Sequence, residues 1–150
     1  MNVTRKATER DIDSLAHLFN EYRIFYKKLP DLEGARKFIA ERMLNKESEI
    51  LVAENAGGVI MGFVQLYPIF SSTRMKRMCL LNDLFIHPDF RRKGISIGLI
   101  EACKKLCLDT GSCGMILETA KDNIIGNTLY IKTGFSLDVD HNFYEWENRF

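Results

Sequence analysis

The sequence has no Cys-x-x-Cys pair, and its four cysteines, Cys79, Cys103, Cys107 and Cys113, lie far from His17, His87 and His141. That spacing does not suit a bound metal, so none is expected. No apolar run approaches the roughly 18 residues a membrane span needs, which leaves no membrane partner to expect. The opening residues, MNVTRKATERDID, hold no apolar signal core. With reduced thiols, this points to a cytoplasmic protein. Charge of one sign is also lacking: 21 basic and 20 acidic residues leave a net charge of +1. Nothing global therefore recruits a nucleic acid, and any anion site must be local. There is no Gly-x-x-x-x-Gly-Lys-Ser/Thr, and no Gly-x-Gly-x-x-Gly after the first strand, which removes support for nucleoside triphosphates and dinucleotides. Repeats, low-complexity segments and linkers are missing too, so residues 1–150 are expected to form one domain.

What is present is a chain of 150 residues with 46% hydrophobic content, enough to bury a core without staples. Residues 3–7 alternate as a short strand, and Thr8 with Asp11 resembles a capping arrangement. Ile12, Leu15, Leu18, Phe19, Tyr22 and Phe25 recur at helical spacing, and residues 32–45 repeat the pattern through Ala35, Phe38, Ile39 and Met43. Residues 49–54 and 59–67 read as a hairpin around Ala56-Gly57-Gly58, with Gly62 suiting a bulge and Pro68 a stop or an edge. Residues 76–87 form a long apolar strand with the signature of burial on both faces. A helix over 94–110 follows, in which Cys103 and Cys107 share a packing face. Then come a strand over 113–119, a helix over 123–133, and two strands over 135–139 and 143–147. The order β-α-α-β-β-β-α-β-α-β-β predicts an α/β fold in three layers around a mixed sheet.

Leu81 to Gly98, LNDLFIHPDFRRKGISIG, joins the end of the buried strand to a basic, glycine-containing turn that opens a helix. Unpaired amides and the helix dipole there favour a phosphate or pyrophosphate. Gly94 lets backbone approach the ligand, and Arg91, Arg92 and Lys93 add positive charge. A solvated basic turn is the competing reading of the same residues.

Arg91-Arg92-Lys93-Gly94-Ile95-Ser96 resembles the Arg/Gln-x-x-Gly-x-Gly/Ala signature of the GNAT superfamily of acyl-CoA N-acyltransferases, with Ser96 where Gly or Ala is usual. Asn123-x-x-Gly126-x-x-Leu129-Tyr130-x-x-x-Gly134-Phe135 resembles that family's second motif, with Gly126 in place of Ala. The resemblance implies a GNAT-like fold, with a mostly antiparallel sheet of about seven strands and about four helices. It implies acetyl-CoA as cosubstrate, with pantetheine along the backbone of Leu84, Phe85 and Ile86. The pyrophosphate would then meet the amides of Arg92, Lys93, Gly94, Ile95, Ser96 and Ile97. Asn123 would contact pantetheine or the acceptor side, and Tyr130 would stand near the thioester sulfur.

Moving an acetyl group from sulfur to an amine requires a base for the ammonium, donors for an oxyanion and an acid for the thiolate. Tyr130 suits the acid; its alternative reading is an amphipathic tyrosine at the edge of the core. Asn82 and Asp83 are the polar residues of the 78–86 run, and alternation sends them to opposite faces. Asp83 suits a base with a pKa raised by desolvation, or is a carboxylate hydrogen-bonded to neighbouring backbone. Glu118 is the reserve base, and a backbone N–H near Phe85 is the expected oxyanion donor. By resemblance the acceptor enters beside the first two helices, where Tyr22, Arg23, Phe25 and Tyr26 with Asp31 and Glu33 offer an aromatic, acidic wall for a cation. Helix packing and a solvated loop are the commoner reading of the same residues. Tyr144 and Trp146 would line the same cavity or form a dimer surface, so a homodimer stays open. The expected activity is N-acetyl transfer to a small-molecule or peptide amine. The alternative is a non-catalytic acyl-CoA sensor or complex subunit.

Overall fold

The helical stripe read from Leu15, Leu18 and Phe19 is buried against Ala35 and Ile39 of the next helix, and against Ile50, Val52, Phe63 and Phe85 of the sheet. A computed structural model describes residues 1–149 of the chain. Its elements are β1 (Val3–Lys6), α1 (Ile12–Phe25), α2 (Leu32–Leu44), β2 (Glu49–Glu54), β3 (Ile60–Ser71), β4 (Lys76–Ile86), α3 (Ile95–Asp109), β5 (Met115–Ile116) and α4 (Ile124–Lys132). Among the described residues the sheet has five strands in the order β1-β2-β3-β4-β5, antiparallel except for the parallel β4–β5 pair. Helices α1 and α2 cover one face of the sheet, while α3 packs on β2, β3 and β4. The chain divides into two compact units, the second beginning at Thr119 and carrying α4.

The expected seven strands are reduced at the C-terminal end. Residues 135–139 and 143–147 form no strand, and Phe143 and Trp146 stand 75% and 83% exposed. A strand forms only where a neighbour receives its hydrogen bonds, and among the described residues neither segment pairs with another strand. The strand expected over 113–119 shortens to Met115–Ile116, which pair with Cys79 and Leu80.

Pro68 does not stop β3, which runs on to Ser71 opposite β4. Cys79 lies opposite Pro68 and donates its N–H to Gly114 on the other side, so the 68/79 position needs no donor from Pro68. β2 has already ended against Leu66, so the missing N–H falls at a local edge. The bulge expected near Gly62 lies one residue earlier, where Met61 is the extra residue between the Ala53/Gly62 and Glu54/Ile60 pairs. Gly62 serves a close approach instead: a Cβ there would come within 2.8 Å of the Phe85 carbonyl oxygen.

Asp11 is buried, accepts the Thr8 N–H at 2.8 Å and pairs with Arg5, which bridges on to Glu54. The Arg5 guanidinium holds the Asp11 carboxyl down at about 2, tying β1 and β2 to the start of α1.

The cysteines pack as the helical spacing implied. Cys103 and Cys107 lie on the buried face of α3, and the Cys107 thiol donates to Cys79 Sγ at 3.3 Å. Burial pushes the Cys103 and Cys107 thiols up to about 12, so both stay protonated at neutral pH. Cys113 is the partly exposed member. Native protein treated with a thiol reagent at pH 8 is therefore expected to label at Cys113, with the other three reacting only after denaturation. Prompt labelling of Cys103 would contradict this packing.

Candidate active site

Asn82 is an extra residue on β4: Gln65 faces Asp83, but the next residue of β3, Leu66, faces Leu81. A bulge of this kind turns the strand over. Upstream, Cys79 meets Cys107 of α3; downstream, Phe85 packs on Tyr22 of α1, with ring centroids 6.2 Å apart. Asp83 thereby faces α1 and α2 rather than α3. The bulge also corrects the expectation that Asn82 and Asp83 point apart: Asn82 Nδ2 donates to Asp83 Oδ1 at 3.1 Å.

Asp83 is 4% exposed and accepts a 2.6 Å hydrogen bond from Gln65 Nε2. Burial pushes its carboxyl above the usual carboxylate range, and the hydrogen bonds from Gln65, Tyr22 and Asn82 pull it partly back. Among the described residues no cation forms an ion pair with it. Gln65 is fully buried and its Oε1 has no hydrogen-bond partner among the described residues, so holding Asp83 there carries a cost in unsatisfied polarity. Gln65 and Tyr67 were missed by sequence reasoning. The signal available was Gln65 itself, a lone polar residue in the apolar run VIMGFVQLY. Tyr67 is held up at about 12 by burial and by the nearby Asp83 charge.

Asn82 and Asp83 open onto a cavity of about 390 Å³ lined by Phe19, Tyr22, Arg23, Tyr26, Lys28, Phe38 and Tyr67. Tyr22 donates to the Asn82 carbonyl at 3.3 Å and packs edge-on against Tyr26, 5.0 Å between centroids. Of the wall expected beside the first two helices, Tyr22, Arg23 and Tyr26 line this cavity, but its acidic members do not. Asp31 instead accepts the Gly34 N–H as the cap of α2, and neither Asp31 nor Glu33 lines the cavity. Phe25 is exposed and outside the lining as well. Glu118 lies beyond the end of β5, exposed and away from this cavity, because the strand expected to carry it ends at Ile116.

Past the bulge, β4 keeps β3 on one side, but its described pairing with β5 is confined to Cys79 and Leu80. The His87 N–H donates to the Met61 carbonyl. By the alternation of an antiparallel ladder, Phe85 turns its N–H and C=O to β3, while Leu84 and Ile86 turn theirs to the open edge. This narrows the expected backbone contacts to Leu84 and Ile86. It also removes the Phe85 N–H as an oxyanion donor. Arg91 Nε donates to the Ile86 carbonyl at 2.9 Å, and its guanidinium lies 5.4 Å from the Phe85 ring centre. Arg91 is thus stitched to the strand, which leaves Arg92 and Lys93 as the outward charges of the turn.

That turn leads directly into α3. Arg92 and Gly94 both adopt positive φ, 62° and 74°, and Gly98 makes the first helical bond back to the Gly94 carbonyl. Among the described residues no backbone acceptor meets the amides of Arg92, Lys93, Gly94, Ile95, Ser96 and Ile97. Such a run of free donors at a helix start, beside two basic side chains, fits a pyrophosphate.

In the second unit, Asn123 is the cap of α4: its Oδ1 accepts the Gly126 N–H at 3.1 Å and its Nδ2 donates to Thr119 Oγ1 at 2.9 Å. A Cβ at Gly126 would press on the Asn123 amide, which would have to shift to admit it. Tyr130 sits half-buried on the last turns of α4, edge-on to Phe135 at 5.7 Å. Tyr144 is 91% exposed. Among the described residues no cluster of three or more His, Cys, Asp or Glu is placed to hold a metal, and no helix is long and apolar enough to cross a membrane.

A three-layer α/β fold with a bulged central strand running into a free-amide turn is that of an acyltransferase, and the chain belongs to the GNAT acetyltransferase family, whose domain model matches residues 46–137. It is 42% identical over 144 residues to "Uncharacterized N-acetyltransferase YhfO" of Bacillus subtilis (strain 168), covering 96% of this chain and 95% of that one. A crystal structure of a probable acetyltransferase is similar at 34% identity and a TM-score of 0.93, over 98% of each chain. The structure of AAC(6')-Iy in complex with the bisubstrate analog CoA-S-monomethyl-acetylneamine shares the fold, with a TM-score of 0.80 at 20% identity over 99% of each chain.

Proposed function

We propose that this acetyltransferase moves an acetyl group from acetyl-CoA to the nitrogen of a primary amine, by direct attack and without an acyl-enzyme. The observation that carries the reading is the continuity of the open β4 edge, at Leu84 and Ile86, with the free amides of 92–97 just after it. The first suits an extended amide chain added like a strand, and the second suits a diphosphate. Acetyl-CoA supplies the activated acyl group as a thioester. The CoA-containing analog bound by AAC(6')-Iy, a protein of the same fold, supports the same reading.

The chain's own residues then have distinct tasks. Asp83, desolvated and without a cationic partner, takes the proton from the entering ammonium. Tyr22 and Asn82 orient the Asp83 carboxylate through their hydrogen bonds, and Tyr26 helps wall the acceptor. Whichever of the Leu84 and Ile86 edge N–H groups the extended chain leaves unbonded is the donor for the developing oxyanion. As the new C–N bond forms and the C–S bond breaks, Tyr130 gives its phenolic proton to the departing sulfur. Asn123 supports this by capping the helix that carries Tyr130. The whole chain, 1–150, acts as one catalytic domain.

The test is thiol release on mixing the protein with acetyl-CoA and a panel of primary amines: release that depends on the amine supports the reading, and none with any amine counts against it. The cofactor half is tested separately by Gly94→Val. A Cβ at Gly94 meets nothing within 4 Å, so the damage comes from forcing a β-branched residue to a φ of +74°. The turn then rearranges and its amides diverge. Acetyl-CoA affinity is expected to fall more than about tenfold, roughly the strain of one such residue, while Gly94→Ala loses less. Unaltered affinity in calorimetry would remove the pyrophosphate from this turn.

A further inference from the structure

The cavity in front of Asp83 carries charges that an amine alone does not require. Asp83 is the carboxylate of its lining, and it is deeply buried. The other charged lining residues are both cationic: Arg23, half-buried, and Lys28, exposed. Neither forms an ion pair among the described residues. Arg23 spends one N–H on the Leu29 carbonyl at 3.1 Å, which fixes the side chain while leaving other donors of its fork free. The Lys28 backbone N–H is bonded to the Arg23 carbonyl, which holds the two residues in one turn at the end of α1. Asp83 is buried while Arg23 is half-buried and Lys28 exposed, so the carboxylate forms the floor of the cavity and the two cations its rim. A polycation would place its second ammonium against uncompensated like charge, whereas an anion at the rim would meet two donors.

We propose that the acceptor is a primary amine on an aromatic or apolar body whose far end carries an anionic group, read by Arg23 and Lys28. This rests on the reading of the Asp83 cavity as the acceptor site. The amine goes to the floor beside Asp83, the body lies along Tyr22 and Tyr26, and the anion stays at the rim. Arg23 and Lys28 are thus specificity-determining residues that act on acceptor binding and take no part in proton transfer.

The experiment compares three amines with acetyl-CoA: 4-(2-aminoethyl)benzoate, its methyl ester, and spermidine. Wild-type protein is expected to favour the carboxylate over the ester by about tenfold in kcat/KM, the size of one partly exposed charged hydrogen bond, with spermidine below both. Lys28→Glu, at an exposed position that does not endanger folding, is expected to bring the carboxylate-to-ester ratio to one or less, through the KM for the amine. Calorimetry of the carboxylate and ester probes in the presence of CoA gives the same comparison without turnover. If no amine releases thiol, yet the carboxylate binds more tightly and Lys28→Glu erases the difference, the catalytic reading falls and this one stands. Equal binding of carboxylate and ester, a preference for spermidine, an unchanged ratio in Lys28→Glu, or no binding of either probe would overturn it.

Discussion

Replacing Tyr130 by phenylalanine is expected to lower kcat by about a hundredfold or more, the usual worth of a positioned general acid, while acetyl-CoA affinity moves less than about twofold. The thiolate that leaves a thioester needs a proton source, and the phenol is the group of the second motif able to give one. The ring itself is retained in phenylalanine, so its edge-on contact with Phe135 persists and α4 keeps its local packing. Steady-state kinetics alongside equilibrium binding separates the two roles. Equal loss of kcat and affinity would make the tyrosine a packing residue, and no loss of either would remove it from the mechanism.

Asp83→Asn is expected to cost a comparable factor, about a hundredfold to a thousandfold in kcat/KM, and to change the pH profile as well. Burial favours the neutral carboxyl, so Asp83 gives up its proton at a higher pH than an ordinary carboxylate near 3.9. Below that point the base is occupied and the rate falls; above it the carboxylate is free and the rate rises. Wild-type kcat/KM is therefore expected to show an acid limb displaced upward from the normal carboxylate range, absent in Asp83→Asn. The groups shaping that limb are Tyr22, Gln65 and Asn82 by hydrogen bonding, with Tyr67, Arg23 and Lys28 on the cavity wall. The sign for stability runs the other way. A carboxyl whose pKa is higher folded than unfolded destabilises the fold as pH rises through that interval, so removing its charge relieves the protein at neutral pH. A thermal midpoint at pH 7 equal to or above wild type is expected for Asp83→Asn, alongside the loss of activity. A retained acid limb in the variant would assign the base elsewhere.

Much of the 91–98 turn was legible in the sequence because it is written in local chemistry. A glycine at positive φ, a run of free amides and adjacent basic residues all follow from consecutive positions 91–97, and the structure places them in one turn. The helices were readable for the same reason, since Leu15, Leu18 and Phe19 mark a face by spacing alone. What could not be read depends on pairing between distant segments. The bulge at Asn82 has no signature of its own, yet it decides which face receives Asp83 and brings Gln65, eighteen residues away in the chain, onto the carboxylate. The charge of the cavity was misjudged likewise: Asp31 looked like a ligand for a cation, but a helix start needs a cap, and Gly34 takes it. The apolar residues of 135–139 and 143–147 suggested strands, but a strand requires a partner that the local sequence does not supply.

The most direct measurement is the acetyl balance in one reaction: thiol released from acetyl-CoA, acetyl found on the amine, and acetyl found on the protein, each by mass spectrometry. Direct N-acetyl transfer predicts thiol and acetylated amine in equal amounts, no thiol without an amine, and no acetyl left on any of the four cysteines. Tight acetyl-CoA binding with no acetylated product from any amine, or an acetyl group carried on the protein itself, would contradict it.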